Sequence, residues 1–249
     1  MKNKKNPLFS IITVVFNGEK YLEKTIQSVL SQSYKNFEYI IVDGGSTDGT
    51  LSIIKKYNKN ISKWISENDR GIYDAFNKGM RLSKGDFVCI VNSDDILKKN
   101  ALKIIRNYII KYPKIDFIFG SVKKHWGILH GYKPHKIKYS WGFYSSHSTG
   151  FFLKKSSAKK VGYYNIKYKY HADYDYFYRL IVKHKMKGIA TRKNEITGIF
   201  RRGGFSSTSH FGPMFIEELK IRINNGQNLF LVLFIAFYKL INHFKKLIL

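Results

Sequence analysis

The residues best suited to chemistry sit at a few acidic turns. Asn92-Ser93-Asp94-Asp95 follows the apolar run Phe87 to Val91, and five β-prone residues bounded by turn formers predict a short buried strand. Adjacent carboxylates at the carboxyl edge of such a strand repel one another and resist desolvation. They call for a cation, a hydrogen-bond network or water beside them. The expected occupant is a divalent ion that carries a diphosphate, bound by Asp94. Hard oxygen ligands point to Mn2+ or Mg2+. Such an ion neutralises a departing diphosphate, while a separate carboxylate takes the proton of an attacking hydroxyl. Twelve of the 17 acidic residues precede residue 117, and none lies between Phe117 and Ala172. The carboxylates at Asp173 and Asp175, just after that gap, are the downstream candidates.

The surrounding elements place these turns. Phe9 to Phe16 reads as a buried strand ended by Asn17-Gly18, followed by a helical pattern from Tyr21 to Leu30. Phe37 to Val42 is a second strand, stopped at Asp43-Gly44-Gly45-Ser46-Thr47-Asp48-Gly49, with Ser46 or Thr47 available to cap the helix carrying Leu51, Ile54 and Tyr57. Ile61 to Ile65 is a third strand before Ser66-Glu67-Asn68-Asp69-Arg70-Gly71. A helix is expected over Ile72 to Leu82, another over Leu102 to Tyr112, and a strand over Asp116 to Val122. This alternation predicts βαβ units and a mostly parallel sheet sandwiched by helices. Ligands bind beyond the carboxyl ends of such strands. Asn17, Asp43, Glu67 to Arg70 and Asn92 to Asp95 would all converge on that edge.

Past His125 the chain becomes aromatic, basic and free of acids up to Tyr144, and reads as loops or a hairpin laid over the sheet edge. A strand over Ser148 to Leu153, a short helix over Ser156 to Val161, a helix over Asp173 to Lys185 and a strand over Gly188 to Phe200 follow. Asp173 falls in a first helical turn, where the helix dipole favours a carboxylate. Leu229 to Tyr238 is wholly apolar. Beyond it Lys239, Asn242, His243 and Lys246 share one helical face, with Leu240, Ile241, Phe244 and Leu247 opposite. A basic amphipathic helix of this kind suits a membrane interface; packing on the domain or an oligomer contact is the alternative.

The formal charge of +27 calls for an anionic partner: nucleic acid, a lipid surface or a phosphate-bearing substrate. The lone cysteine, Cys89, can make no intramolecular disulfide and suits a reducing compartment. No cleavable leader is visible, and no run reaches the roughly 18–20 apolar residues of a spanning helix. The expected location is cytoplasmic, at the inner face of the cell membrane.

No P-loop, dinucleotide fingerprint or zinc-spaced Cys/His set is present. What remains suits metal-assisted group transfer. Val14-Val15-Phe16-Asn17, Ile41 to Thr50 and Asn92-Ser93-Asp94-Asp95, in this order and spacing, resemble the signature of family 2 glycosyltransferases. These are inverting enzymes of the GT-A fold. Glu67 to Gly79 (Glu-Asn-Asp-Arg-Gly-Ile-Tyr-Asp-Ala-Phe-Asn-Lys-Gly) is similar to the branch from bacterial polysaccharide clusters.

The resemblance spans about residues 8 to 205 and implies a Rossmann-like nucleotide-sugar half (8–122), an acceptor half (123–205) and a C-terminal helical extension (206–249). It implies that Asp43 reads the nucleotide base in a pocket lined by the backbone from Thr13 through Phe16 to Asn17. Asp74 and Lys78 would meet the ribose and diphosphate, Asn92 and Ser93 the donor, and Asp94 the metal, with support from Asp95. Asp173 would be the general base, with Asp175 as the alternative. His147, Arg201 and Arg202 fall where acceptor or diphosphate contacts are expected. Two positions depart from the family pattern: Asn92 replaces the first acid of Asp-x-Asp, and Ala172 replaces the Glu of Glu-Asp. The implied activity is transfer from a UDP-sugar to the hydroxyl of a saccharide or lipid-linked saccharide. A non-catalytic relative and a basic nucleic-acid-binding protein are the rival readings; the second lacks any recognised nucleic-acid motif, so no nucleic acid is expected.

Overall fold

The computed structural model describes residues 6–139, 148–201 and 211–243. Its centre is a seven-stranded sheet. The first four strands are β1 (Phe9–Val15), β2 (Phe37–Asp43), β3 (Lys63–Ser66) and β4 (Phe87–Ile90), all parallel. Beyond a short β5 (Ile96–Leu97) come β6 (Phe117–Phe119), β7 (Ser121–Lys124), β8 (Gly127–Leu129), β9 (Phe151–Lys154), β10 (Gly188–Ala190) and β11 (Ile196–Ile199). The order across the large sheet is β10-β6-β9-β4-β1-β2-β3, and only β9 runs against its neighbours. The expected mostly parallel sheet is therefore present.

Strict alternation puts Ile12, Val14, Ile40 and Val42 in one core and Ile11, Val15, Tyr39 and Ile41 in the other. A sheet buried on both faces needs such near-continuous apolar strands. Helices α1 (Leu22–Leu30), α2 (Thr50–Lys56) and α4 (Ala101–Lys111) cover the second face. The first is covered by α3 (Ile72–Leu82), α5 (Lys155–Val161) and α6 (Ala172–Tyr178), which continues as a π-helical turn through Lys183.

Two expected strands are each divided. Asp116 to Val122 breaks at Gly120 into β6 and β7, and Gly188 to Phe200 breaks at the Thr191–Glu195 turn into β10 and β11. The second halves leave the large sheet and join a small one, β5-β11-β7-β8. Gly120 is required there because a Cβ would run into the Thr197 side chain. The aromatic basic segment supplies the turn and the second strand of a hairpin, β7–β8, whose first strand precedes it, and then makes a 3-10 helical turn at Pro134–Lys138.

The C-terminal helices α7 (Phe211–Asn224) and α8 (Leu229–His243) follow, turning at Gly226 with φ of 73°. They are not held apart from the rest: Ile221 belongs to the core beneath α3 and α6. Glu218 is buried and pairs with Arg222 and Lys239, both at 2.6 Å. Lys239 faces inward with Val232 and Ile235, while Leu240 and Ile241 are exposed, so it is the Lys239 side of α8 that lies against the protein. The exposed ridge of α8 consists of Phe230, Leu233, Phe234, Phe237 and Ile241.

Candidate active site

Register brings the turns together. Val15 pairs with Asp43 and Asp43 with Ser66, so β1, β2 and β3 end level. The Val91 N–H donates to the Ile12 carbonyl at 2.8 Å, which adds the turn after β4 to the same edge. Asn17 adopts φ of 48°, a region that a short amide side chain tolerates. Its N–H donates to Ser46 Oγ at 2.8 Å and its Oδ1 accepts from the Thr47 N–H at 2.9 Å. The first and second turns are thus one unit.

Asp43 is fully buried and shapes that unit. Its Oδ1 accepts from Ser46 Oγ at 2.5 Å, and its Oδ2 accepts from Ser66 Oγ at 2.6 Å and from the Gly45 and Ser46 N–H groups. Thr13 is also fully buried, sharing a hydrogen bond with the Tyr39 hydroxyl at 3.0 Å. Both side chains are engaged within the fold, whereas Phe16 is 65% exposed.

The turn after β3 leans on the same unit. A Cβ at Gly44 would lie 2.8 Å from Asp69 Oδ2, so a larger residue there would displace the Asp69 carboxylate. Lys78 of α3 reaches back to Asp69 at 2.6 Å, Glu67 at 3.0 Å and the Asn68 carbonyl at 2.9 Å. Burial works to lower the Lys78 pKa, but the two carboxylates outweigh it and hold the ammonium above its ordinary value. Burial also raises Asp69, against the pull of Lys78. Asp74 is buried in the first turn of α3, accepting from the Arg70 N–H at 3.2 Å.

Asn92 to Asp95 is fastened from several sides. Thr25 Oγ1 donates to the carbonyls of Ser93 and Asp95, both at 2.8 Å. Asp95 is fully buried, accepting from Thr149 Oγ1 at 2.6 Å and from the Arg201 N–H at 3.4 Å. Ser93 lies against Gly18, and Asp94 is half-buried. Arg201, at the end of β11, lays its guanidinium on the Tyr21 ring. Beside it Lys124 of β7 sits over Phe200; burial lowers its pKa, opposed by the charge of Asp95. The same burial, with Asp95 nearby, pushes the Cys89 thiol well up.

The residues present fit a hard divalent cation. Asn92 Nδ2 donates to Ser148 Oγ at 3.2 Å, yet Asn92 Oδ1 is buried with no hydrogen-bond partner among the described residues. An orphaned carbonyl oxygen two residues from a carboxylate is the donor chemistry Mg2+ or Mn2+ takes, with phosphate oxygens and water completing the shell. No group of three or more His, Cys, Asp or Glu side chains placed to hold a metal ion gathers among the described residues, at this turn or elsewhere.

Asp173 begins α6, its Oδ1 accepting from the Tyr174 N–H at 2.8 Å. It lies beside α3: burial, and next the charge of Asp173, push the Tyr73 phenol well up. Asp175 is differently placed. It is buried, with Oδ2 on Arg179 Nε and Oδ1 on Asn225 Nδ2, both at 2.8 Å, tying α6 to its π-helical turn and to the end of α7. His147 and Arg202 lie outside the described residues. Thr25, Lys124, Ser148 and Thr149 escaped the sequence reading, since a lone hydroxyl or lysine carries no signal until the fold sets it against an acid.

The edge-convergent turns on a mostly parallel, helix-covered sheet define a GT-A glycosyltransferase, and the chain belongs to glycosyl transferase family 2, whose model matches residues 10–180. It is similar to a PGL/p-HBAD biosynthesis glycosyltransferase of Mycobacterium bovis, 27% identical over 241 residues that cover 91% of this chain and 90% of that one. It is also similar to the putative teichuronic acid biosynthesis glycosyltransferase TuaG of Bacillus subtilis, 41% identical over 100 residues, or 39% of this chain and 40% of that one. Among solved structures, S. aureus TarS 1-349 in complex with UDP-GlcNAc shares the fold with a TM-score of 0.70 and 20% identity, over 86% of this chain and 65% of that one. Mannosyltransferase PcManGT from Pyrobaculum calidifontis, in complex with GDP-Man and Mn2+, does so with a TM-score of 0.62 and 14% identity, over 88% and 63%.

Proposed function

We propose that this glycosyltransferase moves a sugar, with inversion, from a UDP-sugar to a hydroxyl of a saccharide or lipid-linked saccharide acceptor. The observation that carries the reading is the meeting of four strand-end turns at one edge, with Asp94 on that edge and Asp173 opening α6. Asp173 takes the proton of the acceptor hydroxyl. The oxygen bonds to the anomeric carbon as the bond to the diphosphate breaks on the opposite face. Asp175 is the weaker candidate for base because both of its oxygens are engaged. Phe16, Asn17 and Ser93 line the donor pocket that Asp43 and Thr13 shape, and Arg201 with Lys124 offers positive charge beside Asp95 for the leaving group. Asp94, with the free oxygen of Asn92, would hold Mn2+ or Mg2+. When bound, that ion supplies Lewis-acid neutralisation of the diphosphate.

The UDP assignment draws support from the complex of TarS with UDP-GlcNAc, and the saccharide acceptor from the teichuronic acid relative. We further propose contact with an anionic lipid surface through the exposed ridge of α8, which fits the +27 charge of the chain. Among the described residues no helix is long and apolar enough to cross a membrane, so α8 would lie on the surface. The test is UDP release by the purified chain with Mn2+ and a panel of UDP-sugars. Asp94→Ala should abolish turnover and weaken donor binding; Asp173→Asn should abolish turnover and leave donor binding intact. Unchanged turnover in both variants would remove the assigned roles.

A further inference from the structure

The segment leading into α6 offers three consecutive backbone N–H groups to one side chain on another element. Glu217 of α7 accepts from the Lys169 N–H through Oε2 at 2.6 Å, and from those of Tyr170 and His171 through Oε1, each at 2.7 Å. Successive amides turned toward one point form an anion-binding concavity. Here the anion comes from the C-terminal extension, beyond the region matched by the family. On the other side of the segment, the Tyr73 hydroxyl donates to the Tyr170 carbonyl at 3.0 Å. The helix α6 has no side-chain cap of its own, so these two contacts set where it starts.

Asp173 is two residues past His171. A base that serves an in-line attack is sensitive to its position: a displacement of about 1 Å can cost roughly 10²-fold in rate. Without the Glu217 carboxylate, three amides lose their acceptor and turn toward water. The adjacent Glu218 does a different job, joining Arg222 of its own helix to Lys239 of α8. Arg222 also donates to the Lys138 carbonyl and Ile221 sits in the core, so α7 stays docked with or without Glu217.

We infer that Glu217 is a positioning residue for Asp173, so that α7 completes the site from outside the family-matched region; this rests on Asp173 being the base. The test uses the full chain with Glu217→Ala and Glu217→Gln, the latter keeping an acceptor oxygen. Hydrogen exchange of the 169–175 amides should speed up about tenfold or more in Glu217→Ala, with α3 and β4 unchanged. On whichever UDP-sugar the wild type turns over, kcat should fall by about 10- to 100-fold with donor KM held within about twofold. Glu217→Gln should recover most of both losses, and it decides the matter alone if Glu217→Ala fails to fold. Wild-type exchange and kcat in Glu217→Ala, a parallel loss of kcat and donor KM, or a Glu217→Gln variant no better than Glu217→Ala would overturn the inference. Full activity in Asp173→Asn would instead remove the base assignment, whatever Glu217→Ala does.

Discussion

Thr149 Oγ1 donates to the fully buried carboxylate of Asp95 at 2.6 Å, joining the turn after β4 to the turn that enters β9. A buried carboxylate that loses a donor bears the desolvation penalty uncompensated, about 1–3 kcal/mol or more. Thr149→Val preserves shape and removes the hydroxyl. Its melting temperature should drop by about 2–10 °C, and donor affinity should fall with it, because Asn92 to Asp94 lose their support. Thr149→Ser should behave as wild type in both calorimetry and donor titration; a Thr149→Ser defect equal to that of Thr149→Val would show that the methyl group matters and the hydroxyl does not.

Gly79 lies on α3 against β1, where a Cβ would collide with the Ile12 side chain. Two effects oppose each other in Gly79→Ala. Helix propensity favours alanine by about 1 kcal/mol, while overpacking a tight core costs about 1–3 kcal/mol. The expected balance is a net loss of up to about 2 kcal/mol in denaturant unfolding. A stabilised Gly79→Ala would mean that α3 slides outward at no cost, and with it Asp74 and Lys78.

The fold was legible where one residue type repeats at one period. The apolar runs of β1, β2 and β4, and the turn residues that end them, suffice to place Asn17, Asp43 and Asp94 on one edge. Strand propensity does not say which sheet a strand joins, so the departures at Gly120 and Thr191 were hidden. They depend on the room Thr197 leaves and on partners far along the chain. The contributions of Thr149, Lys124 and Glu217 were hidden for the same reason: Thr149 acts on Asp95 across 54 residues of sequence, Glu217 on His171 across 46, and Lys124 sits near Asp95 from a different strand. Periodicity divided α8 into two faces but could not say which one meets the protein. One long-range pair, Glu218 with Lys239, decides it.

That pair has a pH signature. Burial lowers the Lys239 pKa from 10.5 to about 8, against the opposing charge of Glu218. Below about pH 8 the group is protonated in both states and its burial penalty is fully present. Between about pH 8 and 10.5 the folded protein releases a proton that the unfolded chain keeps, so the contribution of this group to stability rises with pH. Lys239→Met leaves Glu218 paired with Arg222 and removes the extra buried cation. It should be neutral or stabilising at pH 7, as well-packed apolar replacements of buried charges often are. Its unfolding free energy, measured from pH 7 to 10, should lack the upward slope that the wild type shows relative to it. A strongly destabilised Lys239→Met, or equal slopes in both proteins, would contradict the assignment.

The exposed ridge of α8 makes the last prediction. Phe230 is 83% exposed, Phe234 68% and Phe237 65%, on a helix whose described residues, Leu229–His243, span about 22 Å, less than a bilayer core of roughly 30 Å. Each phenylalanine could bury apolar area worth about 1.5–3 kcal/mol at most. The protein should therefore float with vesicles containing phosphatidylglycerol, less with pure phosphatidylcholine, and less again as salt screens its charge. The triple variant Phe230→Ser, Phe234→Ser, Phe237→Ser should lose this binding by about two orders of magnitude or more while its melting temperature stays the same or rises, because these side chains gain nothing from folding. A triple variant that still floats would show that α8 is not the contact. A wild-type dimer that the same substitutions dissolve, with no vesicle binding in either protein, would assign the ridge to a second copy of the chain instead.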